Sequence, residues 1–111
     1  SVNSLFLIFK KMDRNEPQLI DGKIRIHPKM KSIIGQFGED GWIQSIFSYE
    51  EGGQQLPWTI HLSAGFIMQA ANYSASVFPF LTTGAANLIR TFGSKELRDR
   101  FTTNMYSGKW Q

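Results

Sequence analysis

A run of 38 residues, from Gly52 to Ile89, contains no Asp, Glu, Lys or Arg. Twenty of these residues are of the hydrophobic types, so the run cannot lie entirely at the surface. A membrane-spanning helix needs about 18 or more nearly continuous apolar residues, whereas Gln69, Asn72 and Pro79 interrupt this run. We therefore predict a buried helical hairpin rather than a membrane span.

Length and composition predict one small domain with a packed core. The chain has 111 residues, of which 41% are hydrophobic and 19% charged, and its formal net charge is +3. By size it could bury roughly two-thirds of its unfolded surface. It contains no cysteine, which excludes a disulfide framework and thiolate chemistry. No targeting segment is evident at the N-terminus, and we expect a cytoplasmic protein.

Apolar spacing and capping signals predict the helices. We expect them near residues 5–14, 28–37, 60–72, 81–91 and 95–106. Gly38 is expected to end the second helix, and Ser94 to cap the last. Pro79 is expected to break the charge-free run between its two helices. Asp21-Gly22 lies between two short apolar runs, but such short strands are barely stable, so we predict a loop with a turn.

The titratable residues do not form a recognisable catalytic or metal-binding motif. His27 and His61 lie at neither HxxxH nor HExxH spacing, and we interpret them as a surface residue and a helix residue. The carboxylate pairs Glu39-Asp40 and Glu50-Glu51 each lie beside glycines, which is typical of solvated turns. Because GxSxG, GxxxxGK[ST] and GxGxxG are also absent, no residue is predicted to be catalytic.

The basic residues near the C-terminus could bind nucleic acid or phosphate. They are Arg90, Lys95, Arg98, Arg100 and Lys109. Because Glu96 and Asp99 lie among them, a solvated helix face is favoured over nucleic-acid binding.

A second functional alternative comes from the cluster Phe78-Pro79-Phe80-Leu81, at the expected helix break. A break there would expose aromatic rings to a cavity or a partner surface. The chain could then be an autonomous helical interaction module with a hydrophobic groove. A helix corner packed in the core would explain the same residues.

Several short motifs occur in a fixed order around the charge-free run. Two uncharged helices are flanked by the motifs Gly41-Trp42, Glu51-Gly52-Gly53, Phe92-Gly93-Ser94 and Ser107-Gly108-Lys109-Trp110. This order of motifs resembles the N-terminal helical domain of an acyl-CoA dehydrogenase. The resemblance covers residues 36–111 well and residues 1–35 only loosely. The sequence of residues 52–57 most resembles that of a subgroup of larger bacterial members, which usually have glycine in place of Gln55.

This resemblance implies an all-α fold, an orthogonal or up-and-down bundle of about four to six helices. It implies that the full-length protein is an oxidoreductase of fatty acid metabolism, which dehydrogenates acyl-CoA thioesters with FAD and an electron-transfer partner. In the family, a middle β-domain and a C-terminal helical domain hold the flavin, and the base is generally a glutamate from the latter domain or its neighbour. This chain has neither, so we expect an excised domain that alone is inactive and binds no cofactor.

In the family, the break between the core helices and the start of the second helix line the fatty chain. By position this corresponds to Val77, Phe80, Leu81 and Gly84, which are the expected substrate-binding residues. A buried CH₂ group contributes about 0.8 kcal/mol, so bulk at Phe80 or openness at Gly84 would set how much of the chain fits. Surface left uncovered by the missing domains would also favour self-association.

Overall fold

Helices dominate the computed structural model of this chain, which describes residues 2–110. These residues form four α-helices, one two-stranded sheet and a single 3-10 turn at Tyr49–Glu51. The helices are α1 (Val2–Arg14), α2 (Lys29–Glu39), α3 (Trp58–Phe92) and α4 (Lys95–Tyr106), and the strands are β1 (Gln18–Ile20) and β2 (Lys23–Arg25). The all-α prediction is confirmed. Ser1 and Gln111, which end the expected domain division at residues 1–35 and 36–111, lie outside the described residues.

The charge-free run forms most of α3, and α3 consists of two helical segments that meet at Asn72. The Phe80 ring lies 5.5 Å from the His61 ring, centroid to centroid. In a straight helix these two residues would be about 28 Å apart along the axis. The first segment (residues 58–71) and the second segment (residues 73–92) therefore fold back on each other, which confirms the predicted hairpin. No helix within residues 2–110 is long and apolar enough to cross a membrane.

The hairpin turns at Asn72 and not at Pro79, so the predicted position of the break is wrong. Asn72 has extended backbone angles, and its Oδ1 accepts a hydrogen bond of 3.1 Å from the amide of Ala75. Asn72 is thus the N-cap of the second segment, because its side chain satisfies a backbone donor that a new helix leaves unpaired. Pro79 lies inside that segment, where a proline removes one helical hydrogen bond without ending the helix.

Asn72 also joins the hairpin to α1. Its Nδ2 donates a hydrogen bond of 3.1 Å to the carbonyl oxygen of Leu5, and the Ser76 hydroxyl donates one of 2.8 Å to the Asn72 carbonyl. Asn72 is 1% exposed, so both ends of its amide are buried and bonded. A buried amide held in this way fixes α1 and the two segments in one arrangement.

The core lies where α1 and α2 pack against the inner side of the hairpin. Small residues on that side let the elements approach closely, while larger apolar side chains come from α1, α2 and the loop after α2. The core residues are Leu5, Met30, Ile33, Ile34, Phe37, Ile43, Met68, Ala71 and Ala75.

Residues 18–25 form a β-hairpin, which corrects the prediction of a loop. Strand β1 pairs antiparallel with β2, and Leu19 lies opposite Ile24. The turn residues Asp21 and Gly22 have φ angles of 51° and 71°, the positive values that a type I′ turn requires. The Asp-Gly turn therefore forms the pairing even though every side chain of both strands is exposed.

Two of the expected helix boundaries also change. Helix α2 continues through Gly38, where a Cβ would overlap the backbone of Ser107, so this glycine permits close packing rather than ending the helix. Helix α1 begins before the expected residue 5. The Ser94 cap is confirmed, since its hydroxyl accepts a hydrogen bond of 3.3 Å from the amide of Leu97.

We expect replacement of Asn72 to separate its two roles. Asn72→Ser keeps an oxygen that can cap the second segment but loses the bond to Leu5, which should lower the free energy of unfolding by about 1 kcal/mol. Asn72→Ala loses both and should lower it by about 2 kcal/mol. Denaturant unfolding measures both values.

Asn87→Ala is the matched control, because Asn87 is a half-buried asparagine inside the same helix. It should change the free energy of unfolding by less than about 0.5 kcal/mol. Equal losses for Asn72→Ala and Asn87→Ala would show that Asn72 does not hold the hairpin.

Candidate functional site

The four expected substrate-binding residues share one side of the second segment of α3. Val77, Phe80, Leu81 and Gly84 are spaced i, i+3, i+4 and i+7, the spacing of a helical stripe. Leu81 is 68% exposed, and a Cβ added to Gly84 would meet no atom within 4 Å. The structure therefore places the four residues on one side of the helix, where Leu81 and Gly84 are exposed and Val77 and Phe80 are half-buried. They do not lie at the break between the core helices, as expected, because the chain turns at Asn72, five residues before Val77. Their contact with substrate stays a prediction.

Phe80 differs from the other three residues because its ring points into the hairpin. A Cβ built on Gly65 would lie 2.9 Å from Cζ of Phe80, so the tip of the ring rests against the backbone of the first segment. The ring also meets His61 and, at a centroid distance of 6.4 Å, Phe37 of α2, both edge to face. Only part of the Phe80 side chain borders the open surface.

Leu88 extends the stripe by one more turn and was not among the expected residues. It follows Gly84 by four residues and is 61% exposed. The same helical spacing, continued past the motif positions, is the signal that could have identified it. We refer to Val77, Leu81, Gly84 and Leu88 as the open stripe.

Large apolar side chains also cover the outer side of the first segment, the turn of the hairpin and the C-terminal end of α3. Those more than half exposed are Trp58, Ile60, Leu62, Phe66, Ile67, Tyr73 and Phe92. The charge-free run predicts a buried hairpin, and the predicted burial is therefore wrong within this chain. An apolar surface of this extent is typical of an interface or a ligand-binding wall.

His61 and Ser45 form a buried polar pair behind the Phe80 ring. The hydroxyl of Ser45 lies 2.8 Å from Nδ1 of His61 and 3.0 Å from the carbonyl oxygen of Trp42. If Ser45 donates to that carbonyl, the proton between Ser45 and His61 belongs to Nδ1. Burial lowers the pKa of His61 below its usual 6.5, which favours the neutral ring. His61 is thus more than the helix residue that the sequence indicated.

A second polar cluster holds the loop after α2 against the end of α3. The Glu51 carboxylate accepts a hydrogen bond of 2.8 Å from the Ser48 hydroxyl and lies 3.1 Å from Nη1 of Arg90. Partial burial works to raise the pKa of Glu51, but the Ser48 hydrogen bond and the Arg90 charge outweigh it, so the pKa lies below its usual 4.5. The Arg90 guanidinium also lies over the Phe47 ring. Glu51 is therefore not part of a solvated turn.

The remaining charged and strained positions do not add a catalytic group. Lys95 and Asp99 form an exposed pair 3.5 Å apart on α4, as a solvated face would, whereas Arg90 is half-buried and does not belong to that face. No three metal-ligating side chains come together in the described part of the chain. Gln55 has a φ of 50°, in the left-handed region that favours glycine, the residue that the sequence resemblance leads us to expect at this position.

Comparison with known proteins identifies what the chain is similar to. The family model described as "Acyl-CoA dehydrogenase, N-terminal domain" matches residues 14–109. A 3-methylmercaptopropionyl-CoA dehydrogenase of Ruegeria pomeroyi is 26% identical over 98 residues. That alignment covers 88% of this chain but only 17% of the relative, so the chain spans a small part of the curated protein that it matches.

We expect His61 to make stability depend on pH. Its pKa is lower in the folded chain than in the unfolded chain, so the unfolded state binds the extra proton as the pH falls. The free energy of unfolding should thus be constant above the unfolded pKa and should decrease from about pH 6.5 down to the lowered folded pKa. His61→Asn keeps a group that can bond to Ser45 but does not titrate, and should reduce this slope.

Chemical denaturation at several pH values between 5 and 8, on the order of half-unit steps, measures the slope. His27→Asn removes the other histidine and is the control, because the part of the slope that His61 causes should persist in it. An unchanged slope in His61→Asn would contradict the burial of a neutral His61.

Proposed function

Because the chain belongs to the acyl-CoA dehydrogenase family, as an N-terminal domain, we propose that it forms one wall of the acyl pocket in a longer enzyme. That enzyme removes hydrogen from the α and β carbons of acyl-CoA thioesters. The name of the Ruegeria relative, a dehydrogenase of 3-methylmercaptopropionyl-CoA, supports this substrate class. The chain itself contributes binding surface and no catalytic group.

The observation that carries the proposal is the open stripe on the second segment. Val77, Leu81 and Gly84 lie on the opposite side of the helix from Ala75, Pro79 and Ala86, which are buried. A hydrocarbon chain lying along this stripe would replace water against apolar atoms and gain about 0.8 kcal/mol for each buried CH₂. Gly84 leaves room beside Leu81 in which such a chain could pass.

We further propose that the exposed apolar side of the first segment packs against other domains of the same enzyme. Trp58, Leu62 and Phe66 follow one another at i, i+4 and i+8 and are all more than half exposed. Covering this surface with another domain is favourable, because its apolar atoms are then removed from water. For the same reason the chain alone would tend to self-associate.

FAD is the cofactor that the family implies for the full-length enzyme, and it supplies the acceptor for the hydride. We expect other domains to hold most of it. In the described residues, the buried polar side-chain atoms without a partner are Oε1 of Gln44 and Nε of Arg90. Both residues line clefts that also include the Glu51 carboxylate. One donor and one acceptor beside a carboxylate do not fit a pyrophosphate, which requires several donors, so these two clefts do not fit the flavin cofactor.

The wider setting of the enzyme follows from the family and stays a proposal. We expect an electron-transfer partner that reoxidises the flavin, a place in fatty acid metabolism and a cytoplasmic location. The interaction-module alternative depended on a helix break at Phe78 to Leu81, and these residues lie within a continuous helical segment. Nucleic-acid binding is not part of the proposal, because acidic residues interrupt the exposed basic face of α4.

Gly84→Leu in the full-length enzyme tests the pocket wall. The added side chain meets nothing within this domain, so folding should not suffer, and replacing a helical glycine should even stabilise the helix by about 0.5–1 kcal/mol. In the enzyme it would occupy the path of the acyl chain. We expect kcat/KM to shift towards shorter acyl-CoA substrates, measured on a series of straight-chain thioesters together with 3-methylmercaptopropionyl-CoA.

Gly35→Leu is the matched control, because Gly35 is also a helical glycine with no atom within 4 Å of a built Cβ, but it lies on α2. It should leave the chain-length profile unchanged. An unchanged profile in Gly84→Leu would remove Gly84 from the pocket and contradict the proposal.

The purified 111-residue chain should neither bind flavin nor oxidise acyl-CoA. Flavin fluorescence quenching and dye-linked dehydrogenase assays measure these properties, with the full-length enzyme as the positive control. Stoichiometric flavin binding by the chain would contradict the proposed division of labour between domains.

A further inference from the structure

We propose that Gly65 sets the depth of the acyl pocket by holding the Phe80 ring inside the hairpin. This inference rests on the proposed function, since it assumes that the open stripe is a pocket wall. The supporting observation does not depend on any substrate. The tip of the Phe80 ring lies against Gly65, and Gly65 is the one residue of the first segment without a side chain that could displace the ring.

The contact between Phe80 and Gly65 leaves no space for one more carbon. A Cβ on Gly65 would lie 2.9 Å from Cζ and 3.2 Å from Cε1 of Phe80. Ordinary van der Waals contact begins at 3.4 Å, so the ring tip would have to recede by about 0.5 Å or more. Gly65 is buried, and the displaced atom is the far end of a side chain, which can move more easily than the backbone.

The neighbours of the Phe80 ring restrict the direction of that movement. On one side lies His61, whose own ring is held by the hydrogen bond to Ser45 and by an edge-to-face contact with Trp58. On another side lies Phe37, which is 4% exposed and part of the core. Rings packed in this way do not yield to small displacements. These two contacts oppose movement of the Phe80 ring towards His61 or Phe37, which leaves its half-exposed edge as the direction in which it recedes.

That exposed edge borders the open stripe. Phe80 precedes Leu81 directly and lies one helical turn from Val77 and Gly84. A ring displaced from the hairpin would cover part of the stripe and narrow the path beside Gly84. Gly65 is thus a positioning residue for specificity, acting through Phe80, and a glycine here keeps the pocket deep.

Gly65→Ala in the full-length enzyme tests this inference. We expect the ratio of kcat/KM for a longer over a shorter saturated acyl-CoA to fall by roughly fourfold for each methylene that no longer fits. Phe80→Leu in the same background should restore the wild-type ratio, because the smaller side chain no longer collides with Ala at this position. Gly35→Ala, the same change at an open helical position, should leave the ratio at the wild-type value.

The comparison with Gly84→Leu separates this inference from the proposed function. If Gly84→Leu shifts the chain-length profile and Gly65→Ala does not, the inference is wrong and the pocket wall remains. If neither variant shifts it, the proposed function fails as well. A general loss of activity with an unchanged ratio would mean that the hairpin has opened instead, which also overturns the inference.

Phe80→Leu alone provides a measurement that does not depend on the folding of Gly65→Ala. Removing the ring leaves space above Gly65, so the ratio should move towards longer substrates. A ratio equal to that of the wild type would overturn the role of Phe80 and therefore that of Gly65.

Discussion

The arrangement of the molecule depends on the buried amide of Asn72. Its oxygen starts the second segment of α3 and its nitrogen binds a carbonyl of α1, so one side chain fixes the reversal of the chain and the helix that covers it. A buried polar group is stable only when it is fully bonded, and this requirement leaves few alternative arrangements. The reversal places Phe80 beside His61 and Gly65, and thereby decides which residues remain on the outside.

The charge-free run exposes much apolar surface because its large apolar side chains lie on the outer side of the hairpin. The inner side of α3 carries small and polar residues such as Gly65, Ala75 and Ser76, which pack closely against α1, α2 and each other. The larger side chains point away from the core. The core of the domain therefore does not need the whole charge-free run, and in the proposed function the remaining apolar surface packs against other parts of the enzyme.

Much of this fold could be predicted because the signals are local. The Ser94 cap and the apolar spacing of α2 and α4 need no tertiary information. The position of the hairpin turn could not be predicted, because Pro79 is the stronger local helix breaker. The chain turns at Asn72 instead because its side chain accepts a hydrogen bond from Ala75 and donates one to the carbonyl of Leu5, a residue distant in the sequence. The length of the two strands does not predict the β-hairpin, because such short strands are barely stable; it forms because Asp21-Gly22 favours the geometry of the turn.

The candidate site was predictable only in part, for a related reason. Helical spacing places Val77, Leu81 and Gly84 on one side, but no pattern in the sequence shows that Phe80 turns inwards. That depends on Gly65 and His61, which are 15 and 19 residues away and become neighbours only when the hairpin closes. The charge pattern also does not predict the ion pair between Glu51 and Arg90, because this pair joins a loop to the end of a helix.

The most direct test of the account is a structure of the full-length enzyme with a bound saturated acyl-CoA. We expect the hydrocarbon chain to lie in van der Waals contact with Val77, Leu81 and Gly84, with Trp58 and Phe66 covered by another domain. An acyl chain bound elsewhere, with the open stripe facing solvent, would contradict the claim that this domain forms a pocket wall.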